Sequence, residues 1–214
     1  MKSALIIGVG QFGSHIAKRM AKMHCEVMAV DSNEERINAI LPYVTNAQIG
    51  DSTNEEFMRS LGIPEYDVCI VTISGNFQNS LETTALLKEL GASTVISRAQ
   101  NDVQEKFLLR NGADETVYPE KQTAIRVATR AASDSILDYI HMDKNYSIYD
   151  MRVPKEWNGK TLANLDIRKK YQLNIIAVRH NDALTIPMPD TVLIADDEVL
   201  VIGSLREIQK CFKI

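Results

Sequence analysis

Short apolar runs alternate with amphipathic stretches from Ala4 to Pro119. Ala4-Leu5-Ile6-Ile7, Val27-Met28-Ala29-Val30, Ala47-Gln48-Ile49, Val68-Cys69-Ile70-Val71-Thr72, Thr94-Val95-Ile96-Ser97 and Thr116-Val117-Tyr118 read as strands. Runs with little polar alternation mark strands covered on both faces. Between them, Phe12 to Met23 sets Ile16, Ala17 and Met20 on one side, and Ser32-Asn33 opens a helix reaching Ile40. Thr53 is the predicted cap of a third helix carrying Phe57, Met58 and Leu61. Asn76 to Leu90 reads as a fourth, and a fifth carries Phe107 and Leu108. Repeated strand–helix units with short connections predict an α/β domain, a parallel sheet with helices on both faces.

Beyond Pro119 the periodicity changes. Ala124, Ile125, Ala128, Ala132, Ile136 and Leu137 form one apolar stripe, which predicts a long amphipathic helix from Glu120 to Ile140. From Tyr146 onward the pieces are short and β-rich: Ser147 to Val153, Asn174 to Val178, Leu184 to Ile186 and Glu198 to Ile202, then a helix over Leu205 to Phe212. Pro187-Met188-Pro189-Asp190 is a loop, because a central strand does not accommodate two prolines. The expected division is a domain over 1–132, including the start of the long helix, and a smaller one over 133–214.

Composition narrows the function. The 214 residues are 45% hydrophobic and 24% charged, enough to bury a sizeable core. A net charge of −4 and the lack of a Lys/Arg-rich run argue against nucleic acid as a partner. No apolar stretch approaches the roughly 20 residues that span a bilayer, and Met1-Lys2-Ser3 runs straight into a strand, so the expected location is the cytoplasm. Cys25, Cys69 and Cys211 are widely spaced in apolar segments, as reduced buried thiols are. A dehydrogenase needs a proton-transferring group beside its cofactor. Here there is no Tyr-x-x-x-Lys pair, and His15, His24, His141 and His180 form no i,i+4 pair, so no enzyme activity is expected.

The chemistry is concentrated at the start of the chain. Gly8, Gly10 and Gly13 sit between the first strand and the first helix, and Asp31 closes the second strand. A G-x-G-x-x-G in that context, followed by an acid about 20 residues on, is the dinucleotide-binding fingerprint. Gly8 permits the turn, Gly10 lets backbone approach phosphate, Gly13 lets the helix pack on the sheet, and Asp31 accepts hydrogen bonds from ribose hydroxyls. The charge of Asp31 would repel a 2′-phosphate, which favours NAD, ATP or ADP over NADP.

Further elements are more selective. Gly8-Val9-Gly10-Gln11-Phe12-Gly13, Asp31, Gly50-Asp51-Ser52, Asn111-Gly112-Ala113-Asp114 ahead of Tyr118-Pro119-Glu120-Lys121, and the tail Ala195-Asp196-Asp197-Glu198-Val199-Leu200-Val201-Ile202-Gly203 resemble an RCK (regulator of potassium conductance) protein of the KtrA/TrkA type over nearly the whole chain. The resemblance implies a Rossmann-type doubly wound parallel sheet, a crossover helix and a smaller α+β C-terminal RCK lobe. It also implies a regulatory subunit of potassium transport, forming homodimers that assemble into a ring, commonly an octamer. That ring sits on the inner face of the membrane under a channel-like subunit of KtrB or TrkH type. An RCK module serving another transporter or exchanger is the alternative.

The same resemblance assigns residues. Gly8, Gly10, Gly13 and Asp31 carry the adenine nucleotide (ATP, ADP or NAD(H)), together with Gln11, Phe12 and Ser32 beside them and Asp51-Ser52 near the adenine. Thr72-Ile73-Ser74 ends the fourth strand at the edge where phosphates lie in such sheets, with an ordinary strand-to-helix turn as the lesser reading. Glu120 matches the acid that helps hold a divalent cation, Mg or Ca, against the phosphates at the dimer interface; any first helical turn also welcomes an acid. Many KtrA proteins have arginine where Gln11 stands, so charge-assisted recognition of a triphosphate is weakened here. In the C-terminal lobe, Ile167, Arg168, Asn174, Ile175 and Pro187 match a cyclic di-AMP region, although Arg168-Lys169-Lys170 also reads as a solvated helix end and the isoleucines as core.

Overall fold

The computed structural model describes residues 1–143 and 145–214, and its contacts divide it into two compact units, Met1–Glu120 and Lys121–Ile214. The first runs β1 (Ser3–Ile7), α1 (Gln11–Lys22), β2 (Glu26–Asp31), α2 (Glu34–Ile40), β3 (Asn46–Ile49), α3 (Glu55–Ser60), β4 (Val68–Val71), α4 (Phe77–Glu89), β5 (Val95–Arg98), α5 (Asp102–Arg110) and β6 (Glu115–Val117). All six strands are parallel, in the order β3-β2-β1-β4-β5-β6. This is the Rossmann order, which reverses direction between β1 and β4 and leaves a crevice at the carboxyl ends of those strands. Successive side chains of β1 feed the two faces: Leu5 and Ile7 pack with Met58 and Leu87, whereas Ile6 packs with Ala17, Ile37 and Ile40. Each such fully buried aliphatic side chain contributes about 1.5–3 kcal/mol.

Four of the helix starts use the same device. Asn33, Asn54, Asn76 and Asn101 each turn a side-chain oxygen onto a backbone N–H two or three residues on, at the heads of α2, α3, α4 and α5. Asn54 therefore takes the capping place expected of Thr53, whose own hydroxyl donates to Asp51.

The helix predicted from Glu120 to Ile140 is corrected. α6 spans Pro119–Ala131 and carries no buried residue, and Ile136 opens a strand, β7 (Ile136–His141). Ser133 accepts the backbone N–H of Ser135 in the intervening turn, and Ile136 then joins the second unit's core. The remaining elements are β8 (Ser147–Arg152), α7 (Leu162–Leu165), α8 (Ile167–Tyr171), β9 (Asn174–His180), β10 (Ala183–Thr185), β11 (Glu198–Gly203) and α9 (Leu205–Phe212). The five strands are antiparallel in the order β10-β9-β11-β8-β7, the smaller α+β lobe. Met151, Val199 and Val201 from the sheet meet Trp157, Leu193, Ile208 and Phe212. All three cysteines are free, and burial pushes the Cys69 and Cys211 thiols up to about 12, out of the reactive range.

Candidate functional site

The glycine turn is built for approach. Gly8 has φ of +88°, which side-chain-bearing residues rarely adopt. A Cβ on Gly13 would lie 2.0 Å from the Gly8 carbonyl oxygen, so the close seating of α1 on the sheet requires glycine there. Gly10 differs: a Cβ on it would meet nothing within 4 Å. Gly10 is also the N-cap of α1, supplies no side-chain cap, and is followed by a first turn with no acid. The N–H groups that asparagine satisfies at the next four helices therefore receive no side-chain cap at α1, where the helix dipole favours an anion.

Asp31 stands opposite, buried at the end of β2. Its Oδ2 accepts the Val9 backbone N–H at 2.8 Å and its Oδ1 accepts that of Asn33 at 2.9 Å, with Arg36 Nη1 3.4 Å away. Its oxygens retain lone pairs for ribose hydroxyls.

These groups border a cleft of about 560 Å³, within the usual range for small-molecule sites. It gathers Gly8, Gly10, Gln11, Asp31, Ser32, Asp51, Ser52, Thr72, Ile73 and Ser74, ten of the twelve residues expected to bind nucleotide. Gly13 and Phe12 are not in its wall: Gly13 is buried beneath the turn, and Phe12 is half-buried behind it. Three members have other work. Thr72 Oγ1 donates to the Gly8 carbonyl, and the Ser52 and Thr83 hydroxyls share a buried hydrogen bond of 2.8 Å. Asp51 is turned onto Thr53, whose backbone and side-chain hydrogen bonds hold its carboxyl below the usual range.

The sequence matches the TrkA-N domain over residues 4–119 and the TrkA-C domain over residues 148–214. It is 39% identical over 210 residues to Ktr system potassium uptake protein C of Bacillus subtilis, covering 98% of this chain and 95% of that protein. It is 35% identical to Ktr system potassium uptake protein A of the same organism, with the same coverage. The chain belongs to the Ktr family. Among solved structures, the GsuK RCK domain superposes with a TM-score of 0.71 at 18% identity, over 99% of this chain and 47% of that one. The GsuK channel bound to NAD gives 0.68 at 18% identity, over 98% of this chain and 38% of that one. The RCK fold expected from the sequence is thus the observed one.

In this Ktr chain the cleft also contains residues that the motif left out: Arg36, Asn76, Asn79 and Arg98. Arg98 ends β5, with its guanidinium 5.3 Å from the Phe12 ring centroid and ion-paired through Nη2 to Glu120. Its Nε is buried with no hydrogen-bond partner among the described residues. The signal for Arg98 was its place at a strand's carboxyl end beside the switch point, where α/β sheets bind ligands.

The second Ktr candidate site is divided. Ile167, Arg168, Asn174 and Ile175 share a hollow of about 140 Å³ with Leu162, Ala163, Asp166 and Leu173; Pro187 is not part of its wall. Ile167 is a core residue and Arg168 is exposed. No helix is long and apolar enough to cross a membrane among the described residues.

Proposed function

We propose that this protein is the nucleotide-sensing regulatory subunit of a potassium uptake system, working without chemistry of its own. The carrying observation is the uncapped start of α1 at an open Gly10, facing a buried Asp31 across the cleft. An adenosine phosphate fits it: anion on free N–H groups, sugar on a carboxylate, and the buried Arg98 Nε as a further donor. The Ktr relatives are potassium uptake proteins, and the GsuK channel binds NAD, which supports ATP, ADP or NAD(H) as the ligand here.

A divalent cation, Mg or Ca, fits only alongside that ligand. No group of three His, Cys, Asp or Glu able to hold a metal occurs among the described residues, so Glu120 offers one carboxylate, and phosphate oxygens and water complete such a shell. Cyclic di-AMP at Ile167, Arg168, Asn174, Ile175 and Pro187 is a further proposed ligand. The 140 Å³ hollow is below the usual ligand-site range of about 300–1,000 Å³, so a second surface is needed to enclose it.

In the proposed assembly, homodimers form an octameric ring on the cytoplasmic face of the membrane, beneath a channel-like partner subunit of KtrB or TrkH type. A ligand shifts an assembly only by its different affinity for two states, and moving 1:99 to 99:1 takes about 5.5 kcal/mol. Divided over eight equivalent sites, that is roughly 0.7 kcal/mol each, less than one charge-assisted hydrogen bond contributes. Calorimetry with ATP, ADP, NAD, NADH and cyclic di-AMP, with and without magnesium, tests the ligand; co-purification with a potassium-channel-like membrane subunit tests the partner. Absence of binding by every adenosine compound would refute the reading.

A further inference from the structure

We propose that the second unit holds an anion site of its own, a lysine-rimmed hollow beside α7, α8 and α9 that takes a phosphomonoester with an apolar body. The inference is independent of the nucleotide reading above.

The hollow has a volume of about 420 Å³, within the usual range for small-molecule sites. Trp157, Leu165, Ile167 and Cys211, all members of the second unit's core, form its apolar floor. The exposed side chains of Lys160, Lys170, Lys213 and Glu156 form its rim. Only Ile167 also borders the smaller hollow considered for cyclic di-AMP, so the two are separate.

Each lysine reaches the rim by its own route. Gly159, at φ +75°, turns the chain from Trp157 to Lys160, whose side chain makes no hydrogen bond or ion pair among the described residues. Lys170 Nζ donates to the Leu165 carbonyl at the end of α7, at 3.0 Å. Lys213 closes α9 at φ +57°, a left-handed position that glycine usually fills, and its Nζ donates to Glu156 at 2.8 Å. A lysine there goes against the local backbone preference, and such departures concentrate at functional sites.

Three ammonium groups against one carboxylate leave a surplus of two positive charges. The Lys213 hydrogen bond, and more weakly the Lys160 charge, hold the Glu156 carboxyl below its usual range, so all four groups are ionised near neutral pH. A phosphomonoester brings about −1.5 to −2 charges and three strong acceptor oxygens, which match that surplus and the rotatable donors of lysine. A single carboxylate would neutralise half of it, and inorganic phosphate would leave the floor wet. An apolar body on the phosphate covers that floor and removes it from water. Such a group belongs to a free organic phosphate or to the headgroup of phosphatidic acid.

Trp157 is the one tryptophan of the sequence, so its fluorescence in the full chain reads this hollow. The titrants are phenyl phosphate, inorganic phosphate and phosphatidylcholine vesicles with and without phosphatidic acid, all at constant ionic strength. Phenyl phosphate is expected to shift the emission saturably and to bind at least about fivefold more tightly than inorganic phosphate. Lys160→Gln/Lys170→Gln weakens it about tenfold or more, and Glu156→Gln tightens it about two- to fivefold by releasing Lys213. Gly10→Ala in the first unit gives the wild-type titration. A saturable response to phenyl phosphate assigns a free ligand; a lysine-dependent response to phosphatidic acid vesicles alone assigns the lipid. The proposal is overturned by silence toward both, by a response that sodium chloride reproduces or the double variant retains, or by inorganic phosphate binding as tightly as phenyl phosphate. Should the double variant fail to fold, Lys160→Gln at its exposed position carries the test: an unchanged titration overturns the site.

Discussion

The Oδ2 atom of Asp31 accepts the backbone N–H of Val9 at 2.8 Å, so the acid at the end of β2 ties down the glycine turn that leaves β1. The proposed ribose contact and the turn geometry therefore share one carboxylate. Asp31→Ala strands the buried Val9 N–H, worth about 1–3 kcal/mol when left unpaired, and also releases the N–H of the exposed Asn33. The expected result is weaker binding of ATP, ADP and NAD alike together with a thermal midpoint lower by several degrees without ligand. Calorimetry and ligand-free thermal unfolding check the two halves; an unchanged midpoint would show that the turn stands without Asp31.

Gly10→Ala and Gly13→Ala separate approach from packing. At Gly10 the added methyl meets open space at φ −62°, so the protein folds with its midpoint unchanged while adenosine phosphate binding falls sharply. At Gly13 the methyl would be 2.0 Å from Gly8 O and 2.4 Å from Thr72 Oγ1, which costs about 1–3 kcal/mol of stability whether or not ligand is present. Equal loss of stability in the two variants would contradict the assignment of Gly10 to phosphate.

In the second unit, burial pushes the Asp150 carboxyl above the usual carboxylate range, only partly offset by the Arg179 hydrogen bond and charge. Arg179 is pushed up by its hydrogen bonds to Glu198 and Asp150, so it stays charged and the burial cost falls on Asp150, whose Oδ1 has no hydrogen-bond partner among the described residues. A native carboxyl that holds its proton more tightly than the unfolded chain's stabilises the fold fully below the unfolded value. That contribution is lost as pH rises through the raised native value. Asp150→Asn resembles the protonated form. Relative to wild type, its midpoint is therefore expected to improve from pH 4 to pH 7; thermal scans across that range decide, and an opposite trend would mean that the Arg179 pairing outweighs burial.

Arg168→Ala tests the C-terminal lobe. Arg168 is exposed, so the variant keeps wild-type stability and ADP affinity while losing any thermal shift given by cyclic di-AMP. A cyclic di-AMP shift that survives the substitution removes Arg168 from that site.

Much of the first unit was legible because its signals are local. The apolar runs, the helix starts at Ser32-Asn33 and Asn76 and the spacing from Gly8 to Asp31 each depend on neighbours within a few residues or on one repeated unit. The segment after Pro119 was misread for the same reason. Ala128, Ala132 and Ile136 continue a helical stripe on paper, yet Ile136 and Tyr139 pair with Met151 and Tyr149 of β8, and that partner lies beyond the reach of periodicity.

Order along the chain was enough for the strand–helix alternation, the glycine turn and the acid facing it, since backbone sterics and burial on two sheet faces leave few other uses for those residues. Chain folding alone brought Arg98 from the end of β5 against Phe12 and Glu120, and left its Nε buried with no hydrogen-bond partner among the described residues. An arginine acquires that character only through what surrounds it, because desolvation and pairing are properties of a place in space rather than of a position in a string.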